Sequence, residues 1–97
     1  MNKMTREEAI KNPNATLVDV REPYELETEG FVEGAINIPL GEVPERLEEF
    51  KSFQKPLVVF CRSGNRSGSA AQFLEQNGLE EVVNGGGFNE VNAVLNS

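Results

Sequence analysis

The hydrophobic positions of this chain fall into short runs separated by amphipathic stretches, and that alternation sets the first expectation about its elements. Leu57-Val58-Val59-Phe60 is the most continuous apolar run. A run of this kind, with no polar position facing water, predicts a parallel strand covered on both faces. Thr16-Leu17-Val18-Asp19-Val20 reads as another buried strand, and Ala35-Ile36-Asn37-Ile38, stopped by Pro39, as a short one. Glu81-Val82-Val83 is a last short strand, followed by Gly85-Gly86-Gly87, which reads as a flexible turn.

Helical patterns lie between these runs. Thr5 and Glu8 have capping-box spacing, so a helix over about residues 5 to 11 is expected, ended by Asn12-Pro13. The charged segment from Arg21 to Glu27 predicts a helical turn after the strand, and Gly30 and Gly34 bracket a loop. Val43, Leu47 and Phe50 share one helix face, with Pro44 near its first turn. Ala70, Ala71, Phe73 and Leu74 predict a helix closing at Asn77-Gly78, and Phe88, Val91, Val94 and Leu95 a final amphipathic one. Strands alternating with helices imply an α/β fold, with a mainly parallel sheet between two helical layers. With 97 residues and no repeat, linker or low-complexity segment, one domain over residues 1–97 is expected.

Composition narrows the chemistry. Nine basic against sixteen acidic side chains give a net charge of −7, a balance that repels phosphate backbones and anionic membrane surfaces. Partners are therefore expected to include no nucleic acid and no membrane. Met1-Asn2-Lys3-Met4-Thr5 leads into a polar segment with no apolar stretch suited to a signal peptide or a membrane span, so a soluble, cytoplasmic protein is expected. The chain has no histidine, which removes Ser-His-Asp, Cys-His and imidazole-base schemes together. Its single cysteine, Cys61, has no partner for an internal disulfide, and the Cys/His set of a four-ligand zinc site is missing. Neither a metal nor a cofactor is expected. Cys61 is the obvious nucleophile, because a thiol ionises near neutral pH once its surroundings favour the anion.

The residues after Cys61 make that environment plausible on physical grounds. In a parallel sheet ligands bind beyond the carboxyl ends of the strands, where Cys61 falls. Arg62-Ser63-Gly64-Asn65-Arg66-Ser67 then leads into a helix. A short loop holding Gly64 and small polar residues can curl so that backbone N–H groups point inward as an anion nest at the helix start. Such a field stabilises a thiolate, and lowers a thiol pKa from ~8.5 into the range of about 3.5–7.5 found at helix N-termini. Arg62 and Arg66 are the only charged side chains from Cys61 to Gly68, a positive patch in an acidic protein that would draw an oxyanion such as thiosulfate.

Four segments, in order, resemble the signatures of the rhodanese family. Leu17-Val18-Asp19-Val20-Arg21-Glu22 with Tyr24-Glu25 is similar to the first, and Gly34-Ala35-Ile36-Asn37-Ile38-Pro39-Leu40 to the next. Val58-Val59-Phe60-Cys61-Arg62-Ser63-Gly64-Asn65-Arg66-Ser67 resembles the active-site loop, and Gly85-Gly86-Gly87-Phe88 the closing glycine turn. The resemblance implies a three-layer fold on a five-stranded, mainly parallel sheet, in the single-domain form. It implies a sulfurtransferase whose cysteine, here Cys61, carries sulfane sulfur as a persulfide from thiosulfate or another donor to cyanide or a thiol acceptor. Small-molecule donors and acceptors, or proteins in either role, are the partners it implies. Two positions depart from the family pattern: Phe31 stands where a histidine is frequent, and no tryptophan follows the glycine turn.

Cys61 is thus the candidate catalytic residue, with Arg62, Ser63, Gly64, Asn65, Arg66 and Ser67 as the substrate-binding loop. Arg66 has two readings of equal weight: it binds substrate, or it folds back on a carboxylate such as Asp19 or Glu22. Asp19, Arg21 and Glu22 read as an ion-pair network supporting the site, and the acidic runs Glu25–Glu29 and Glu45–Glu49 as solvated faces. Two other functions compete. A cysteine-dependent phosphatase or arsenate reductase places its arginine six positions after the cysteine, where this chain has Ser67. A non-catalytic rhodanese-like binding module is the other.

Overall fold

The computed structural model describes residues 4–97 and contains four parallel strands in the order β2-β1-β3-β4, with helices on both faces of the sheet. The expectation for Met1-Asn2-Lys3, that no apolar leader begins the chain, falls outside the described residues. The strands are β1 (Thr16–Asp19), β2 (Ile36–Asn37), β3 (Leu57–Cys61) and β4 (Val82–Gly87). The helices are α1 (Arg6–Lys11), α2 (Pro23–Glu29), α3 (Leu47–Ser52), α4 (Asn65–Gln76) and α5 (Phe88–Leu95). No helix among the described residues is long and apolar enough to cross a membrane.

β3 explains why its sequence has no polar positions. All five of its residues are buried, and their side chains alternate between two cores. Leu57, Val59 and Cys61 join Val18, Val20, Phe50, Ala70 and Leu74 on the α3–α4 side. Val58 and Phe60 join Ala9, Ile10, Phe88 and Val91 on the α1–α5 side. A central parallel strand must be apolar on both faces because neither meets water. Its cysteine therefore arrives at the carboxyl edge of the sheet with its side chain on the α4 side.

The helix starts follow local chemistry. At α1 the Glu8 N–H donates to Thr5 Oγ1 at 3.1 Å and the Thr5 N–H to Glu8 Oε1 at 2.8 Å, so the capping box forms. α2 begins at Pro23, whose missing N–H costs nothing in a first turn. The helix expected around Val43 to Phe50 is shorter than its pattern: a 3₁₀ turn spans Leu40–Glu42, and α3 begins only at Leu47. Pro44 has no N–H to continue a helical ladder from the preceding turn.

Two expectations need correction. The sheet has four strands among the described residues, not five; on β4, Arg6 of α1 donates from Nε to the Asn84 carbonyl at 2.9 Å, occupying a backbone acceptor with a side chain. Gly85-Gly86-Gly87 is also not a flexible turn but the buried end of β4. The register with β3 shifts there: Val59 pairs with Asn84 but Phe60 with Gly86, leaving Gly85 as the extra residue of a bulge. Glycine is required because a Cβ on Gly85 would lie 2.8 Å from Val58 Cγ1 and 3.3 Å from Val91 Cγ2.

Gly85→Ala is accordingly expected to destabilise the protein by ~1–3 kcal/mol, the usual cost of overpacking a dense core. Each kcal/mol lowers Tm by about 4–8 °C in a domain of this size. Thermal unfolding measures this, and an unchanged Tm would mean that the core yields where the packing says it does not.

Candidate active site

Cys61 closes β3 and is buried, at 1% exposure. Arg62 and Ser63 turn outward after it, and Gly64 turns the chain back with φ +102° before α4 starts at Asn65. A left-handed position favours glycine, and the surroundings reinforce the choice: a Cβ there would come 3.3 Å from Gly86 Cα. β4 also presses on the loop at Gly87, where a Cβ would stand 2.5 Å from the Arg62 carbonyl oxygen. The loop is shaped by backbone against backbone.

That shape directs donors at the sulfur. The Gly64 N–H lies 3.1 Å from Cys61 Sγ and the Ser67 N–H 3.4 Å, with Ser67 Oγ also at 3.4 Å. Burial pushes the Cys61 thiol up and is the largest single influence, but the hydrogen bonds from Ser67, Gly64 and Ser63 together hold it below its ordinary value. The Ser67 hydroxyl has one proton and two acceptors within reach. Asn84 Oδ1 is at 2.7 Å, far closer than the sulfur, so the backbone N–H groups are the dependable donors to Sγ.

Asn84 is a site residue that the sequence reading missed. Its Nδ2 donates to the Gly64 carbonyl at 3.0 Å and its Oδ1 accepts from the Gly86 N–H at 3.0 Å, which fixes the amide orientation. One side chain on β4 thus ties the loop, the first turn of α4 and the bulge together. The available signal was a polar residue set between the apolar Val82-Val83 and a glycine run.

Arg66 folds back, but on neither Asp19 nor Glu22. Its Nη1 and Nη2 pair with Glu25 Oε1 and Oε2 at 2.7 and 2.9 Å, a two-pronged contact between α4 and α2. Glu25 is buried at 6% exposure, which corrects its reading as part of a solvated face. It also accepts the Glu22 N–H at 3.0 Å, while the Glu22 side chain itself is exposed. No spacing in the sequence signals a pairing across 41 positions.

Asp19 and Arg21 do pair. Arg21 is wholly buried; Nη2 meets Asp19 Oδ2 at 2.7 Å and donates to the Gly30 carbonyl at 2.9 Å, with the guanidinium 3.9 Å from the Phe88 ring centre. Arg62 is exposed and its Nε is 3.5 Å from Glu29 Oε1. Ser63 and Asn65 present their side chains to solvent. The structure thus brings Cys61, Ser63, Gly64 and Ser67 together around the sulfur, and Asp19 and Arg21 into a pair at the strand ends. Glu22 stays outside that network.

Residues 5–93 match the rhodanese-like domain family. The chain belongs to that family. An uncharacterised Bacillus subtilis protein, YqhL, is 47% identical over 75 residues, a stretch covering 76% of this chain and 58% of that protein. The thiosulfate sulfurtransferase PspE of Escherichia coli is 40% identical over 75 residues, covering 76% of this chain and 71% of that one. The crystal structure of a rhodanese-related protein from Thermoplasma volcanium superposes with a TM-score of 0.75 at 36% identity, covering 91% of this chain and 87% of that chain. The parallel sheet between helical layers is thus a rhodanese-like fold, and the chain spans little more than half of its Bacillus relative.

The Glu25–Arg66 pair makes stability depend on pH in a defined direction. The Arg66 hydrogen bond holds the Glu25 carboxyl at about 2, below its ordinary 4.5. A depressed carboxyl contributes stability above its unfolded pKa and loses it as pH falls through the folded one, here from 4.5 down to about 2. Glu25→Gln should therefore be less stable than the parent at pH 6, with the gap closing toward pH 2. Urea midpoints across that range test it, and a gap independent of pH would exclude the linkage.

Proposed function

We propose that this rhodanese-like chain is a sulfurtransferase that carries sulfane sulfur as a persulfide on Cys61. The observation that carries the reading is the convergence of the Gly64 and Ser67 N–H groups on a buried sulfur at 3.1 and 3.4 Å. Donors placed there favour a thiolate, and equally the negative outer sulfur of a persulfide. In the first half-reaction the thiolate attacks the outer sulfur of thiosulfate. A Cys61 S–S bond forms, the donor S–S bond breaks, and sulfite leaves with the electron pair. In the second, cyanide or a thiolate attacks the outer persulfide sulfur and the pair returns to Cys61, giving thiocyanate or a new persulfide. Neither half needs a proton from a histidine, which suits a chain that has none.

Arg62, Ser63 and Asn65 are the exposed side chains of the loop that a donor meets first, Ser67 lies buried beneath them against the sulfur, and Arg62 supplies the exposed positive charge. Arg66 acts mainly as a brace, because both its prongs are engaged by Glu25. That engagement also argues against phosphate chemistry, which needs a guanidinium free to clamp a tetrahedral oxyanion. Small sulfane donors and persulfide-bearing proteins both present a terminal sulfur that the loop N–H groups can receive.

Incubation with thiosulfate should add one sulfur atom to the intact mass, and Cys61→Ser should abolish this together with thiocyanate formation. Undiminished turnover in Cys61→Ser would sink the proposal, as would para-nitrophenyl phosphate hydrolysis at a rate matching sulfur transfer. Cys61 alkylation followed against pH should show a midpoint below ~8.5. Arg62→Ala should lower kcat/KM for thiosulfate about three- to tenfold, a modest loss because an exposed charge is screened by water and salt.

A further inference from the structure

We propose that Glu29 occupies a second anion position between Arg21 and Arg62, the residue that follows Cys61, and that the carboxylate of a small thiol acceptor displaces it there. The inference rests on the sulfurtransfer reading and names the class of acceptor.

Arg21 is the starting point. Its Nε and Nη2 are satisfied by Asp19 and Gly30 and its face by Phe88, but Nη1, buried like the rest, has no hydrogen-bond partner among the described residues. A buried guanidinium N–H left unpaired is costly and rare. Glu29 Oε1 stands 4.0 Å from it, beyond hydrogen-bond distance, and the same oxygen is 3.5 Å from Arg62 Nε. Two cations converge on a carboxylate that fits neither.

Glu29 is also badly placed for its own helix. It is the last residue of α2, at the negative end of the helix dipole, where a carboxylate is disfavoured. Its side chain makes no hydrogen bond among the described residues and is one-third exposed, at 33%, so it can swing into water. A free oxyanion can approach Nη1 and Nε together, which a carboxylate tethered to the end of α2 does not.

The acceptor is the reactant that suits this position. The sulfonate of thiosulfate is one bond from the sulfur it delivers and must be met at Cys61 itself. Glu29 meets Arg62 at Nε, three methylene groups out from the backbone that carries Cys61. That spacing suits a carboxylate several bonds from the attacking thiolate, as in 3-mercaptopropionate. The transfer is unchanged: the acceptor thiolate takes the outer sulfur and leaves Cys61 as thiolate.

The test compares 3-mercaptopropionate with 2-mercaptoethanol as acceptors, thiosulfate being the donor, and reads the ratio of their kcat/KM values. Dividing each variant's ratio by that of the parent cancels intrinsic thiol reactivity. Glu29→Gln should raise the ratio about tenfold, as expected for a charge-assisted contact released from competition. Glu27→Gln, which removes an equal charge from an exposed position of the same helix, should change it less than about twofold. Adding Arg62→Ala to Glu29→Gln should cancel the gain. An unmoved ratio overturns the proposal, as does an equal rise in Glu27→Gln, which would reflect long-range charge alone. An effect of Glu29→Gln confined to persulfide formation by thiosulfate, read by mass, also overturns it by assigning the position to the donor. If no variant transfers sulfur to either thiol, the sulfurtransfer reading fails and this proposal with it; transfer to both with an unmoved ratio removes this proposal alone.

Discussion

The loop that surrounds Cys61 keeps its form because the backbone of β4 passes too close to it for any side chain to intervene. Gly87 lies against the Arg62 carbonyl and Gly86 against Gly64, while Asn84 closes the remaining gap with three hydrogen bonds. Everything else in the site follows from this approach. The left-handed turn at Gly64 aims its N–H at the sulfur, the start of α4 supplies a second donor from Ser67, and the Gly85 bulge sets the register that brings Gly87 level with Cys61. A nest built from main chain holds its donors without the rotamer freedom that side chains would have to surrender.

Charge is arranged around this centre in pairs. The chain is acidic, yet the three arginines at the carboxyl end of the sheet and the start of α4 each face a carboxylate: Arg21 with Asp19, Arg66 with Glu25, Arg62 with Glu29. The contacts grade from tight and buried to loose and exposed in that order. The tight pairs fix the ends of β1 and the start of α4, where displacement would distort the loop. The loose one leaves the Arg62 guanidinium largely in solvent, one residue along the chain from Cys61.

Much of this was legible along the chain. β3 could be read because a strand covered on both faces has no room for a polar residue, and the Cys61–Ser67 loop because glycine and small polar residues before a helix have few other uses. The placement of Arg66 was half legible: that it folds back on a carboxylate could be anticipated, but Glu25 looked like one acid among many on an exposed helix face. Its burial comes from tertiary docking of α2 against α4, which no local spacing encodes. The glycine run misled for a related reason. Three glycines suggest freedom when read locally, whereas here they record how little space the neighbours leave.

The Ser67 hydroxyl has a single proton, and Asn84 claims it at 2.7 Å. That one proton cannot serve Asn84 and the sulfur at once, so Cys61 Sγ gains the hydroxyl as a donor only when the hydroxyl turns away from Asn84. Ionisation of the thiol and rotation of a neighbouring bond are thereby coupled, with the amide on β4 as the competing acceptor. The strength of that acceptor acts as a bias on the thiol's acidity, set from a strand whose side chain reaches the sulfur only through Ser67.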